Sequence, residues 1–210
     1  MKRRTWIFIG ILMTFALSLV LEKSRRLVFE LADLVYFSPP TLDDALPRHF
    51  TAPVSLETNE FRLRPLMAAD YRRDHEAVVV SRADLIGFMG RDDSWPEEDL
   101  SLLDNYLQLL RHQMEFSRRH TFTYTVESPD GNTTLGCVYI FPARNPDYTV
   151  EVLYWGRSGS TKKVFEEKLG TAIQNWIRRE WPFAPNKVAF PGRTIQWSDY
   201  LETREKVVSN

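Results

Sequence analysis

The run from Phe122 to Trp181 limits what this chain can fold into more than any other part of it. Phe122-Thr123-Tyr124-Thr125-Val126 reads as a strand, Pro129-Asp130-Gly131-Asn132 is turn chemistry, and Leu135 to Phe141 returns, so the pair forms a hairpin. Tyr148 to Trp155 makes a third consecutive strand. Lys162 to Trp181 then carries Phe165, Leu169, Ile173, Trp176 and Ile177 at helical spacing and is ended by Pro182. Consecutive strands followed by a long amphipathic helix predict a mostly antiparallel sheet covered by helices.

The flanks extend this pattern. Phe61-Arg62-Leu63-Arg64-Pro65-Leu66 alternates apolar and basic residues, as a half-buried strand does. Asp70 can cap a following helix with Tyr71, His75, Val78 and Val79 at helical spacing. A loop runs from Gly87 to Pro96, and Trp95-Pro96-Glu97-Glu98 is taken as the start of a second helix. Leu100, Leu103, Tyr106, Leu107 and Leu110 continue that helix to about Arg119. Lys187 to Phe190 gives a last short strand, and Thr194–Val208 a helical tail. The order β-α-α-β-β-β-α-β-α is that of an α+β domain.

The net charge of −1 conceals a split. Residues 1–30 carry six Lys/Arg and two Glu, whereas the other 180 residues carry 21 basic and 26 acidic side chains, a net of −5. So acidic a body excludes a nucleic-acid binder, which needs a basic face for phosphates. One cysteine, Cys137, excludes an internal disulfide framework and a cysteine-based zinc cluster. His, Asp and Glu show no paired ligand spacing, so no metal is expected.

The basic excess flanks a run without charge, Thr5 to Leu21. As a helix it would span about 25 Å, the low edge of what crosses a bilayer. A single-pass anchor, a cleaved signal peptide with Ala16-Leu17-Ser18 as its site, and a buried hydrophobic helix are all compatible with it. Leu27 to Phe37 reads as a short amphipathic helix, and residues 38–58, with Pro39, Pro40, Pro47 and Pro53, read as a linker. The expected organisation is therefore 1–26 anchor or signal, 27–58 amphipathic segment and linker, and 59–210 folded domain.

Over about residues 59–205 the chain resembles the GCN5-related N-acetyltransferase superfamily, and within it the bacterial enzymes that acetylate ribosomal-protein N-termini. The residues that carry the resemblance are Phe61-Arg62-Leu63-Arg64-Pro65-Leu66 with Asp70, Phe122–Val126, Pro129-Asp130-Gly131, Leu135-Gly136-Cys137-Val138-Tyr139-Ile140, and Tyr154-Trp155 ahead of a loop and long helix. The resemblance implies transfer of an acetyl group from acetyl-CoA to a primary amine. It implies two strands that splay apart, with Leu153, Tyr154 and Trp155 beside the pantetheine. The diphosphate would lie on the loop with Arg157, Ser160, Thr161, Lys162 and Lys163. A helix N-terminus offers unpaired amides and a favourable dipole to such an anion. The chain departs from the family pattern there, because the two glycine positions of its loop motif hold Lys162 and Val164.

Acyl transfer to an amine needs a base for the ammonium and an acid for the thiolate. Glu151, facing away from Val150 and Val152, is the candidate base, against the reading of an ordinary strand glutamate. Tyr200 is the candidate acid by analogy, against packing of an aromatic tail. His75 and His112 sit in helices without a visible partnering acid, and Cys137 lies in an apolar strand as inert core. Trp95 is read as an anchor in a loop where the family places acceptor recognition. The resulting expectation is a membrane-tethered N-acetyltransferase with its body in the cytoplasm. The alternative is a non-catalytic domain of the same fold that binds a protein partner or acyl-CoA.

Overall fold

In the computed structural model, which describes residues 41–90 and 94–208, the period-two and period-3.6 patterns become sheet and helices. Strands β1 (Leu56–Glu57) and β2 (Arg62–Pro65) precede helices α1 (Tyr71–Leu85) and α2 (Leu102–Ser117). Strands β3 (Phe122–Glu127), β4 (Thr134–Pro142) and β5 (Val150–Gly156) follow, then α3 (Lys162–Glu180), β6 (Val188–Ala189) and α4 (Trp197–Val208). The six strands form one sheet in sequence order, antiparallel except for the parallel β5–β6 pair.

Register assigns each strand residue to a face. Tyr124 opposes Val138, which opposes Tyr154, and Cys137 opposes Trp155 in the ladder. Phe122, Tyr124, Val126, Val138, Ile140, Val152 and Tyr154 join Leu169, Ile173, Trp176 and Ile177 of α3 in the larger core. Cys137, Tyr139, Leu153 and Trp155 join Ala77, Val78 and Leu85 of α1 in the smaller one. Gly170 lets α3 lie on the sheet, since a Cβ there would run into the Tyr154 hydroxyl.

Three sequence expectations are corrected. Residues 41–57 are not a linker: Leu42 is 1% exposed, and Leu46, Phe50, Ala52 and Leu56 pack on the larger core. The Leu42 N–H donates to His120 O at 2.9 Å, and Tyr124 Oη donates to Pro53 O at 2.7 Å. The prolines and polar residues that suggest a linker are interspersed with these anchors. Helix α2 starts at Leu102 rather than after Trp95, because Ser101 and Asp104 form a reciprocal capping box. Asp70 makes no side-chain cap for α1; its carboxylate accepts from the Met67 N–H at 3.0 Å in the turn before it and pairs with Arg64 and Arg73.

The amphipathic segment 27–37 and the apolar run 5–21 lie outside the described residues. Among the described residues, no helix is long and apolar enough to cross a membrane.

Candidate functional site

The sheet splits at Glu151. The β5–β6 ladder holds two residue pairs, Val150 with Val188 and Glu151 with Ala189, while β5 runs on to Gly156. Beyond Glu151 the outer edge of β5 meets side chains. The Arg193 guanidinium donates to Tyr154 O at 2.9 Å, and Glu166 Oε1 accepts from the Gly156 N–H at 2.9 Å. Arg193 and Glu166 are themselves paired at 2.9 Å, and the Arg193 guanidinium lies 4.6 Å from the Tyr154 ring centroid. Together the two side chains bridge the open edge much as a short strand would.

The loop after β5 is tied down by the same kind of contact. Arg157 pairs with Glu76 at 2.7 Å, and Lys162 pairs with Asp84 at 3.0 Å and approaches Glu166 at 3.9 Å. The Ser158 N–H donates to Ser81 Oγ at 2.9 Å, and the Ser158 hydroxyl donates to Asp84. These donors, the Ser158 hydroxyl above all and then Lys162, hold the Asp84 carboxyl below its ordinary range. Ser160, Thr161 and Lys163 are exposed. The residues expected to hold a diphosphate thus have the right charge and stand at the start of α3, but Arg157 and Lys162 are matched by internal carboxylates. Leu153 and Trp155 are buried on the α1 side of the sheet and Tyr154 on the α3 side, so only the backbone of these three reaches the edge.

Glu151 and Tyr200 do come together. Tyr200 Oη donates to Glu151 Oε2 at 2.7 Å, and both residues are buried. Glu151, 2% exposed, also accepts from Arg144 Nε at 2.9 Å, from the second guanidinium arm at 2.8 Å and from the Arg144 N–H at 3.2 Å. The Arg144 guanidinium lies 4.8 Å from the Trp197 ring centroid, and Asn145 Nδ2 donates to Tyr200 O at 2.7 Å. Burial and the neighbouring Glu151 carboxylate push the Tyr200 hydroxyl well above the ordinary tyrosine range. This cluster ties α4 to the β4–β5 turn. Glu151 faces away from Val150 and Val152 as expected, but into protein rather than solvent.

A second polar group was not visible in the sequence. A cavity of about 140 Å³ opens between α1, α2 and β4, lined by Asp74, Trp95, Asn105, Gln108, His112 and Tyr139 among others. Asp74, 3% exposed, accepts from Asn105 Nδ2 at 3.0 Å and from the Cys137 thiol at 3.5 Å. Burial raises its carboxyl to about 6, and burial lowers the His112 imidazole to about 4, so His112 is neutral at pH 7. His112 Nδ1 lies 3.1 Å from Thr123 Oγ1. Burial keeps the Cys137 thiol and the Tyr139 hydroxyl protonated. Asp74 and His112 lie on different helices, and their shared cavity is a tertiary feature. His75 bonds Leu100 O at 2.8 Å, and Trp95 donates to Gln108 Oε1 at 3.1 Å. Among the described residues, no group of three or more His, Cys, Asp or Glu could hold a metal ion.

No family model matches this chain, and no curated protein matches it. Solved structures do, at low identity. The chain is similar to the ribosomal-protein-S5-alanine acetyltransferase of Vibrio fischeri, with 17% identity, 71% of this chain and 81% of that one covered, and a TM-score of 0.45. It is similar to a protein of Bordetella pertussis assigned to the GNAT acetyltransferases, with 16% identity, 60% and 74% covered, and a TM-score of 0.43. It is also similar to the microcin C7 self-immunity acetyltransferase solved with acetyl-CoA and AMP, with 13% identity, 60% and 66% covered, and a TM-score of 0.46.

Proposed function

We propose that this chain is an N-acetyltransferase that moves an acetyl group from acetyl-CoA to a primary amine. The observation that carries the reading is the split sheet: β5 continues five residues past its last pair with β6. An open strand edge pairs with an extended ligand through main-chain amides. Here Tyr154 O and the Gly156 N–H are the edge groups a pantetheine arm would use. Arg157, Ser160, Thr161, Lys162 and Lys163 would receive the diphosphate at the start of α3. Acetyl-CoA supplies an activated acyl carbon as a thioester. The acceptor ammonium first gives one proton to solvent. The free amine nitrogen then bonds that carbon, the carbon–sulfur bond breaks, and a second nitrogen proton goes to the departing thiolate, leaving an amide with one N–H.

Glu151 and Tyr200 enter this reading as positioning residues at the floor of the split. A direct proton-transfer role would require the Tyr200 hydroxyl to leave Glu151. The acyl donor also has to displace the Arg193–Glu166 pair. That pair favours a second reading, a domain of the same fold that binds a partner without catalysis. Calorimetric titration of the full chain with acetyl-CoA separates them. Saturable binding, with CoA release when an amine is added, is expected, and no binding at millimolar acetyl-CoA removes the enzyme reading.

The tether belongs to the same proposal. The charge-free run 5–21 between basic flanks supports a membrane anchor, with the body on the cytoplasmic side where acetyl-CoA is made. Alkaline carbonate extraction of membranes from expressing cells tests it. The full chain should stay in the pellet, and release into the supernatant would argue against an anchor.

A further inference from the structure

We propose that the cavity between α1, α2 and β4 binds a small primary ammonium group, with Asp74 as its counter-charge. Asp74 is a buried carboxylate beside a cavity, and among the described residues no Lys or Arg pairs with it. Its partners are an amide and a thiol, weak compensation for a buried anion. A cation entering the cavity supplies what the fold leaves out.

The lining specifies the kind of cation. Asn105 gives its amide protons to Tyr71 O and Asp74, which leaves its carbonyl oxygen as the end available to a donor. Gln108 Oε1 accepts one bond from Trp95 Nε1 and has a second lone pair, and the Tyr139 hydroxyl accepts from Trp155 Nε1 at 3.2 Å. Neutral His112 adds no competing charge. A carboxylate and amide oxygens suit the three N–H donors of –NH₃⁺, and the lining includes the aromatic rings of Trp95 and Tyr139. A quaternary ammonium would leave those oxygens without donors.

Volume sets the size. A cavity of about 150 Å³ holds a benzene-sized molecule, so about 140 Å³ admits roughly six heavy atoms. That is an aminoalkyl end or one N-terminal residue, not a folded surface. Tyr139 opposes Leu153 in the ladder, which places the cavity one strand in from the open edge of β5. That this ammonium belongs to the acyl acceptor rests on the acetyltransferase reading, whereas its binding does not.

The probe is n-butylamine, titrated calorimetrically into the full chain at pH 7.5 without acetyl-CoA, beside the neutral isostere n-butanol. Butylamine is expected to bind at least tenfold more tightly than butanol, and Asp74→Asn to lose at least tenfold. Equal binding of the two ligands, or unchanged binding by a folded Asp74→Asn protein, overturns the proposal. Gln108→Phe, at a half-buried helix position in the lining, puts a larger apolar side chain at the cavity and leaves the Asp74 carboxylate unchanged in sequence. Loss of butylamine binding there supports the site, and retained binding places the amine elsewhere and overturns it. Adding acetyl-CoA separates the two readings. Butylamine binding without N-butylacetamide leaves the ammonium site standing and counts against acyl transfer. Acetylation of another amine without butylamine binding does the reverse.

Discussion

Asp74 and Tyr200 are both buried oxygen acids, and their surroundings give them opposite energetics. Among the described residues no Lys or Arg pairs with Asp74, and burial raises its carboxyl to about 6, above the ordinary value of 3.8. Between those values the folded chain holds a proton that the unfolded chain has released, so stability falls as pH rises from about 4 to about 6 and stays lower above it. Asp74→Asn removes that cost and keeps a carbonyl for Asn105. It should raise stability at pH 7.5 by about 2 kcal/mol and change it little at pH 4. Thermal melts of both proteins at the two pH values test this, and a gain that is equal at both would refute it. Tyr200 instead donates to a carboxylate already held by Arg144. Tyr200→Phe should cost about 1–2 kcal/mol by leaving that acceptor one donor short. As a positioning residue it should leave kcat for acetyl transfer within a few fold, whereas loss of a catalytic acid costs about 10²-fold or more. Melting temperature and kcat, measured on the same variant, decide the role.

At the scale of elements, much of the architecture was legible and the site only partly so. Strands β3 to β5 and helix α3 declare themselves through alternation and 3.6-residue spacing, because both patterns are local in sequence. The start of α2 was legible too, in Ser101 and Asp104, but an aromatic-proline pair nearer the loop drew the boundary early. The contacts that decide the site are long-range. Glu166 meets Gly156 and Arg193 across two turns of chain, and Asp84 reaches Ser158 and Lys162 from α1. No periodicity records such meetings, so the loop looked like a free basic cradle when read as sequence. The geometry gives that loop a testable property. Glu166→Gln removes the charge holding Arg193 and Lys162 and keeps an acceptor for the Gly156 N–H. Acetyl-CoA affinity should rise about tenfold, equivalent to about 1.4 kcal/mol. Titration of wild type and variant checks it, and equal or weaker binding by the variant means the carboxylate does not compete with the ligand.

At the scale of the molecule, the folded body begins earlier than composition suggests. Contacts divide the chain at about residue 39, so the body begins near Pro40 rather than Asn59. The segment 41–57 is the reason. Leu42 and Leu46 are buried, Phe50 lies 5.5 Å from the Trp181 ring, and Leu56 pairs with Leu63 at the first edge of the sheet. Arg119 fastens the same segment, donating to Asp43 at 2.6 Å, to Pro47 O at 2.9 Å and to Phe50 O. An apolar side chain buried this fully contributes about 2–5 kcal/mol against truncation to alanine, a large share of a domain's total stability. Removing residues 1–58 would strip several such groups at once and uncover Trp181 and Phe122, which meet at 5.0 Å beneath the segment. A chain starting at Pro40 should therefore melt cooperatively. One starting at Asn59 should melt at least 10 °C lower or aggregate, since each 1 kcal/mol moves the midpoint of a domain this size by about 2–4 °C. Leu42→Ala in the full chain gives the graded version, a loss of about 3 kcal/mol by denaturant unfolding. Identical melting of the two shortened chains would return residues 41–57 to the role of a linker.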